Sequence, residues 1–312
     1  MAFLLPGCTE VSQTLRLEKA QRLYHPAQLS RTTIHTDHFP IAVFERIGEK
    51  NAAATIYIEG EPRGSINSHT TRFDPTPLDP VGLKMAVKDK SENLIYLGQP
   101  CAYFTVDVMT KCDRELMTTR RFSDDVIEGY SKVLQHYKDI YGVSGFHLVG
   151  YSGGGSIAAL LANKHPEVLS LRTVAANLNT NIAERISNTE SFRGSRNPSE
   201  DVFTLGVVPQ HHFIGARDEF VRPAILAGYL SEIGPSRCVR TTLVPGVSHR
   251  NGWEEIWPSL MNAPLDCKAR QVQYELQDVS VRDIDMPFID GPESDFVPAG
   301  SDDMPPGIDS GL

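Results

Sequence analysis

The chain has 312 residues and a formal net charge of −9, from 30 basic and 39 acidic side chains. A chain of this length can bury a sizeable core, which argues against disorder throughout. The acidic balance argues against a nucleic-acid-binding protein, because such proteins present a basic surface to the phosphates. No apolar run approaches the ~18 residues that a membrane-spanning helix needs, so the sequence predicts no transmembrane segment.

Strand and helix patterns alternate along most of the chain. Short β-branched and aromatic runs predict strands, and amphipathic or alanine-rich runs predict helices. The predicted strands are 32–37, 41–46, 55–58, 93–97, 146–149, 171–175, 212–214 and 238–244. The predicted helices are 81–88, about eighteen residues from Ser123, 155–162, 223–232 and 252–260. This alternation predicts a mostly parallel sheet with helices on both faces.

Three other segments are polar or rich in proline. Residues 9–29 are predicted to form a linker or an N-terminal helix. Residues 74–80 form a proline-rich loop, in which Asp79 is the predicted N-cap of the helix that follows Pro80. Residues 177–210 are rich in Asn and Ser and predict a small lid or insertion of irregular structure.

The chain divides into an N-terminal segment, 1–29, a folded domain, 30–267, and a tail, 268–312. The tail carries ten acidic and three basic side chains, so it accounts for −7 of the net charge and leaves −2 for the remainder. Its five Pro and four Gly and its lack of periodicity predict a disordered, acidic tail. A partner-binding tail is the alternative to a solvated extension without function.

The motif with the most chemical content is Gly150-Tyr151-Ser152-Gly153-Gly154, which matches G-x-S-x-G between a predicted strand and a predicted helix. Small residues around the serine permit a sharp turn that lifts the Ser152 hydroxyl above the sheet. The turn also leaves the Gly153 N–H at a helix N-terminus, where it can stabilise a developing oxyanion. The motif therefore predicts a nucleophilic serine.

A nucleophilic serine needs a base, and ten histidines are available. When the serine lies on such a turn in an α/β sheet, the histidine comes last in the chain, in a loop after the final strand. His249 occupies that position, so it is the predicted base. His211 and His212 open a strand and are predicted to be structural, and His147 is predicted to be a buried, hydrogen-bonded side chain.

The acid that orients the histidine should lie between the serine and the histidine. Asp218 follows a predicted strand at the expected place and is the predicted acid. Glu219 and Asp201 are the nearby alternatives, whereas Asn177 and Asn179 are neutral.

A second oxyanion donor normally comes from the loop after the third strand. Gly60 allows that loop to turn toward the site, and Glu61 has an available N–H, whereas Pro62 has none. The predicted oxyanion hole therefore consists of the Gly153 and Glu61 N–H groups. An ordinary turn is the alternative role for Gly60.

These motifs resemble the α/β-hydrolases and, more narrowly, a group of bacterial α/β-hydrolase lipoproteins, over about residues 40–260. The narrower resemblance depends on Tyr57-Ile58-Glu59-Gly60, Asp74-Pro75-Thr76-Pro77, Gln99-Pro100-Cys101 with Cys112, Arg121-Phe122-Ser123, Gly150 to Gly155, Gln210 to Asp218 and Gly252-Trp253. It implies the α/β-hydrolase fold with a small lid and a Ser-Asp-His triad, but no substrate. Glu61-Pro62 departs from the Asp-Gly pair of that group and stiffens the oxyanion loop.

The five cysteines are an odd number, and one lies close to the start of the chain. Leu5-Pro6-Gly7-Cys8 is close to a bacterial lipobox, in which the cysteine is lipidated, although no basic segment or apolar run of the usual length precedes it. The resemblance implies disulfides between Cys101 and Cys112 and between Cys238 and Cys267. The alternative is a cytoplasmic protein with five reduced thiols.

The residues together predict a serine hydrolase that attacks an ester, thioester or amide carbonyl of a small acyl substrate through an acyl-enzyme, without a metal or organic cofactor. Analogy with the fold, rather than any residue, favours a carboxylic ester. The predicted location is the bacterial cell envelope or periplasm, with membrane anchoring through a lipidated Cys8. Two alternatives use the same scaffold. One is a non-catalytic envelope or binding protein, and the other is an acyltransferase with the same triad.

Overall fold

The computed structural model describes residues 7–61, 74–188, 191–200, 202–265 and 267. The strands of these residues are β1 (Ser30–His35), β2 (Pro40–Ile47), β3 (Ala54–Ile58), β4 (Asn93–Leu97), β5 (Phe146–Tyr151), β6 (Val168–Val174), β7 (Gln210–Gly215) and β8 (Val239–Val244). The helices are α1 (Gly7–Tyr24), α2 (Val81–Ala86), α3 (Val106–Met109), α4 (Asp124–Tyr141), α5 (Gly153–Lys164), α6 (Thr180–Ser187), α7 (Pro223–Ile233) and α8 (Trp253–Leu260). Two short 3₁₀ helices span Arg114–Met117 and Leu205–Val207.

The strands form one sheet in the order β1-β2-β4-β3-β5-β6-β7-β8. β2 is antiparallel to both of its neighbours, and every other pair is parallel. The predicted mostly parallel α/β sheet is therefore confirmed. Because parallel strands end at the same edge of a sheet, the loops after β3, β5, β7 and β8 come together there.

Hydrophobic clusters lie on the two faces of the sheet, and successive residues of a strand contribute to opposite clusters. Ile56 belongs to the cluster that includes Tyr130 of α4 and Ile157 of α5. Its neighbour Tyr57 belongs to the cluster that includes Trp257 of α8. Coverage of both faces explains why the central strands are apolar along their length rather than alternating with polar residues.

The structure differs from the predicted elements around α2 and α6, and it decides between the two alternatives for residues 9–29. Pro80 is the N-cap of α2, and the predicted cap Asp79 instead forms an ion pair of 2.6 Å with Lys84. α6 forms within the predicted irregular segment, because the Asn179 side chain accepts a hydrogen bond from the Ile182 N–H and caps the helix. α1 is a helix whose Tyr24 ring stacks on Phe44 at 4.3 Å.

Both expected disulfides are present, with Cα–Cα distances of 6.4 Å for Cys101–Cys112 and 4.1 Å for Cys238–Cys267. Within the described part of the chain, no helix is long and apolar enough to cross a membrane. The side chain of Cys8, the alternative acid Asp201 and the predicted tail 268–312 lie outside the described residues.

Candidate active site

Ser152 stands between β5 and α5 with backbone angles of φ 52° and ψ −123°. Few residues other than glycine adopt a positive φ, so the turn is a strained one that the surrounding contacts hold in place. A Cβ on Gly150 would lie 2.3 Å from the Gly154 carbonyl oxygen, and a Cβ on Gly154 would lie 2.2 Å from the Ile58 carbonyl oxygen. The glycines of the motif are therefore required because the backbone passes so closely here.

The structure brings the three residues of the predicted triad together. The Ser152 Oγ lies 3.1 Å from the His249 Nε2, and the His249 Nδ1 lies 2.8 Å from an Asp218 carboxylate oxygen. All three residues are buried, and the Asp218 side chain has no exposed surface. These distances are in the range in which a histidine can take a proton from a serine while a carboxylate holds the ring.

Further contacts fix the orientation of the acid and the histidine. The other Asp218 carboxylate oxygen accepts hydrogen bonds from the backbone N–H groups of Phe220 and Val221, at 2.9 and 2.8 Å. The His249 carbonyl accepts hydrogen bonds from the Tyr151 hydroxyl at 3.0 Å and the Trp253 indole at 3.1 Å. Sequence reasoning assigned no role to either aromatic residue, although both lie inside motifs that it singled out.

The other three candidate histidines form hydrogen bonds within the sheet. His212 contacts Thr173 and Gln210, and burial lowers its pKa to about 3. His211 contacts Thr242, and burial lowers its pKa to about 4. His147, on β5, contacts Ser170, and burial lowers its pKa as well. These shifts favour the neutral form of all three rings at pH 7. His147 forms the predicted hydrogen bond but is half-buried rather than buried.

The loop after β3 is held by a buried carboxylate. The Glu59 side chain accepts hydrogen bonds from the Gly82 and Leu83 N–H groups in the first turn of α2 and from the Tyr96 hydroxyl. Burial raises the pKa of Glu59, and the hydrogen bonds oppose that shift. A Cβ on Gly60 would lie 2.9 Å from the Ser152 Cβ, so glycine allows this loop to approach the serine closely.

The Glu61 side chain contacts Ser152 and Gly153, and the sequence did not predict this contact. One oxygen of its carboxylate lies 2.7 Å from the Gly153 nitrogen and 2.9 Å from the Ser152 Oγ, accepting a hydrogen bond from each. Sequence reasoning assigned the Glu61 backbone N–H to the oxyanion hole, and that assignment stays a prediction. The only sequence signal for a role of the side chain is the departure at Glu61-Pro62.

The other Glu61 carboxylate oxygen lies 3.4 Å from the Nε of Arg121. The Arg121 side chain is 4% exposed, donates a hydrogen bond to the Thr118 carbonyl, and has its guanidinium 4.2 Å from the centre of the Phe192 ring. Burial lowers the pKa of Arg121, and the negative charge of Glu61 opposes that shift. Phe192 belongs to the segment predicted as a lid.

Among the described residues, no group of three or more His, Cys, Asp or Glu side chains is arranged to hold a metal ion.

Comparison with known proteins identifies the fold class. Est1E from Butyrivibrio proteoclasticus is 12% identical with a TM-score of 0.50, over 74% of this chain and 97% of its own. A bacterial membrane phospholipase A is 14% identical with a TM-score of 0.51, over 82% of this chain and 92% of its own. The 2,6-dihydroxy-pseudo-oxynicotine hydrolase is 12% identical with a TM-score of 0.53, over 82% of this chain and 73% of its own.

The chain therefore has the α/β-hydrolase fold, as the resemblance implied. No protein-family model and no curated protein sequence matches the chain. At these identities the similarity concerns the fold alone, so an argument about activity depends on the residues around Ser152.

Proposed function

We propose that the protein is a serine hydrolase that cleaves carboxylic esters through an acyl-enzyme. The observation that carries the proposal is the connected series of hydrogen bonds from Ser152 through His249 to Asp218, with the serine on a strained turn. The α/β-hydrolase fold supports it, and so do the names of the structural neighbours, which include a phospholipase and a hydrolase. The bonds from Phe220, Val221, Tyr151 and Trp253 support it too, because they hold the acid and the histidine in place before substrate arrives.

In the proposed reaction, the Ser152 oxygen attacks the ester carbonyl while the His249 Nε2 accepts the hydroxyl proton. Asp218 stabilises the resulting imidazolium, and the Gly153 N–H and the predicted Glu61 N–H stabilise the oxyanion. The carbon–oxygen bond to the alcohol then breaks, and His249 protonates the departing alcohol. Water attacks the acyl-enzyme carbonyl while His249 accepts a proton from it. The bond between the acyl carbon and the Ser152 oxygen then breaks, His249 returns the proton to that oxygen, and the acid product is released.

A fluorophosphonate probe tests this proposal because it reacts covalently with activated serines. We expect the native protein to be labelled and Ser152→Ala to remain unlabelled. Ser156→Ala is the matched control, since Ser156 is a second buried serine of the same helix and donates to the Asn177 carbonyl. An unlabelled native protein would contradict the proposal and favour a non-catalytic binding protein, and equal labelling of Ser152→Ala would contradict it by assigning the reactivity to another residue.

We also propose an oxidising compartment, the bacterial cell envelope, because the two disulfides persist only outside a reducing cytoplasm. Non-reducing mass spectrometry of the protein from its native cells should find four of the five cysteines oxidised. Five free thiols would favour the cytoplasmic alternative. Lipidation of Cys8, and membrane anchoring through it, stay predictions that the same spectra would test, through the added mass of the acyl chains.

A further inference from the structure

In the proposed reaction, the Glu61 carboxylate lies where the substrate must bind. It accepts the Gly153 N–H that is proposed to stabilise the oxyanion, and it also accepts the hydroxyl of the attacking serine. Ser152 itself is only 6% exposed. A negatively charged oxygen at this position would repel a developing oxyanion, so the carboxylate must move away before the reaction can proceed.

Displacement of Glu61 has a consequence for Arg121. The Arg121 Nε is buried, and within the described part of the chain it has no hydrogen-bond partner, only the Glu61 carboxylate at 3.4 Å. The negative charge of Glu184 also acts on this guanidinium, but no Glu184 oxygen lies within ion-pair distance of it, and the Glu184 carboxylate accepts the Phe192 N–H at 2.7 Å. Departure of Glu61 therefore removes the nearest anion from a buried positive charge, which is unfavourable and favours binding of another anion in its place.

The geometry points to a substrate that supplies this anion: we propose that the acyl group carries a carboxylate close to the scissile carbonyl, and that this carboxylate takes the place of Glu61 beside Arg121. This inference depends on the proposed function of Ser152. The two oxygens of the single Glu61 carboxylate contact the serine and face the guanidinium, respectively. The substrate carboxylate is therefore separated from the reacting carbonyl by only a few atoms, as in half-esters of short dicarboxylic acids.

Guanidinium groups bind carboxylates through charge-assisted hydrogen bonds, which are stronger than those between neutral groups. The Arg121 stacking on Phe192 and its bond to the Thr118 carbonyl hold the guanidinium in place while the anion is exchanged. The alternative is a purely structural ion pair, in which the guanidinium and Glu61 remain together and the substrate needs no charge.

Two isosteric esters distinguish these alternatives. Monoethyl succinate carries a carboxylate, whereas ethyl succinamate carries a neutral amide of the same shape, and ethanol release measures kcat/KM for both. We expect the native protein to prefer monoethyl succinate by about tenfold or more. Arg121→Gln should reduce the ratio to about one. Arg120→Gln is the matched control, because this neighbouring arginine pairs with Asp113 and Asp125 outside the site, and it should keep the native ratio.

Equal kcat/KM for the two esters in the native protein, or an unchanged preference in Arg121→Gln, would overturn the inference. Fluorophosphonate labelling separates that outcome from failure of the proposed function, since a labelled protein without charge preference retains its reactive serine. If Arg121→Gln does not fold, competition in the native protein provides the test. Succinate should inhibit the labelling and succinamide should not, and equal effects of the two would overturn the inference.

Discussion

Two carboxylates lie on opposite sides of Ser152, and they are held differently. Asp218 contacts the imidazole of His249, and two backbone N–H groups bind its second oxygen. Glu61 contacts the serine and the Gly153 N–H directly, and its second oxygen faces the Arg121 guanidinium. Asp218 and His249 therefore have the arrangement that the proposed reaction needs, whereas the Glu61 carboxylate occupies the other side of Ser152 and accepts the hydrogen bond of the serine hydroxyl.

This difference shows that a carboxylate near an attacking serine can either favour or oppose the proposed reaction, depending on which charge it faces. Asp218 acts through the histidine and stabilises the positive charge that forms there during the proposed reaction. Glu61 places negative charge where negative charge must develop on the substrate. Substitutions on the two sides should therefore change the activity in opposite directions.

The largest effect is expected for His249→Ala, which removes the proposed base. We expect kcat/KM for ester hydrolysis to fall by on the order of 10⁵-fold, since residues that act as a unit lose nearly the whole effect together. His35→Ala changes an exposed histidine of β1 and should leave the rate unchanged. A loss of less than about tenfold in His249→Ala would assign the proton transfer to another group.

A smaller loss is expected for Asp218→Asn, which keeps the shape of the side chain and removes its charge. We expect kcat/KM to fall by about 10⁴-fold, because the amide cannot stabilise the imidazolium in the same way. Glu219→Gln is the matched control at the adjacent, exposed acid and should have little effect. If kcat/KM falls strongly in Glu219→Gln and stays unchanged in Asp218→Asn, Glu219 rather than Asp218 is the acid that stabilises the imidazolium.

Gly154 lies against the loop after β3, since a Cβ on it would be 2.2 Å from the Ile58 carbonyl oxygen and 2.5 Å from that of Glu59. Gly154→Ala should lower the free energy of unfolding by about 2 kcal/mol, because the new methyl group overlaps backbone atoms. Gly206→Ala is the control, since the nearest atom to its new Cβ would be 3.9 Å away. Urea denaturation measures the free energy of unfolding of the two variants. Equal values for Gly154→Ala and Gly206→Ala would show that the loop after β3 can move aside freely.

The smallest effect, and one of opposite sign, is expected for Glu61→Gln. An amide oxygen accepts the Gly153 N–H more weakly than a carboxylate and does not repel the oxyanion, so kcat/KM for the neutral ester ethyl succinamate should rise by about three- to tenfold. Glu49→Gln, at an exposed acid away from the site, should leave the rate unchanged. A fall in Glu61→Gln would instead show that the carboxylate assists the reaction.

Much of the scaffold was predictable because local patterns specify it. The strand at Asn93–Leu97 and the helix from Ser123 agree with β4 and α4, since apolar periodicity is a property of adjacent residues. α6 was not predicted, because its polar composition resembles a loop and its stability depends on Asn179 capping and on burial of Ala183. Tertiary packing overrode the local preference at that helix.

The sequence by itself determined the order of the strands along the chain and the glycine-rich turn at Ser152, and it predicted His249 and Asp218 as the partners of the serine, because chain order and small residues are visible locally. Only the tertiary structure decided that the Glu61 carboxylate contacts Ser152 and that Arg121 faces that carboxylate. The sheet brings the loop after β3 beside the turn after β5, and burial beside Phe192 removes the guanidinium from water. Contacts of this kind depend on folded geometry and desolvation, which no local pattern records.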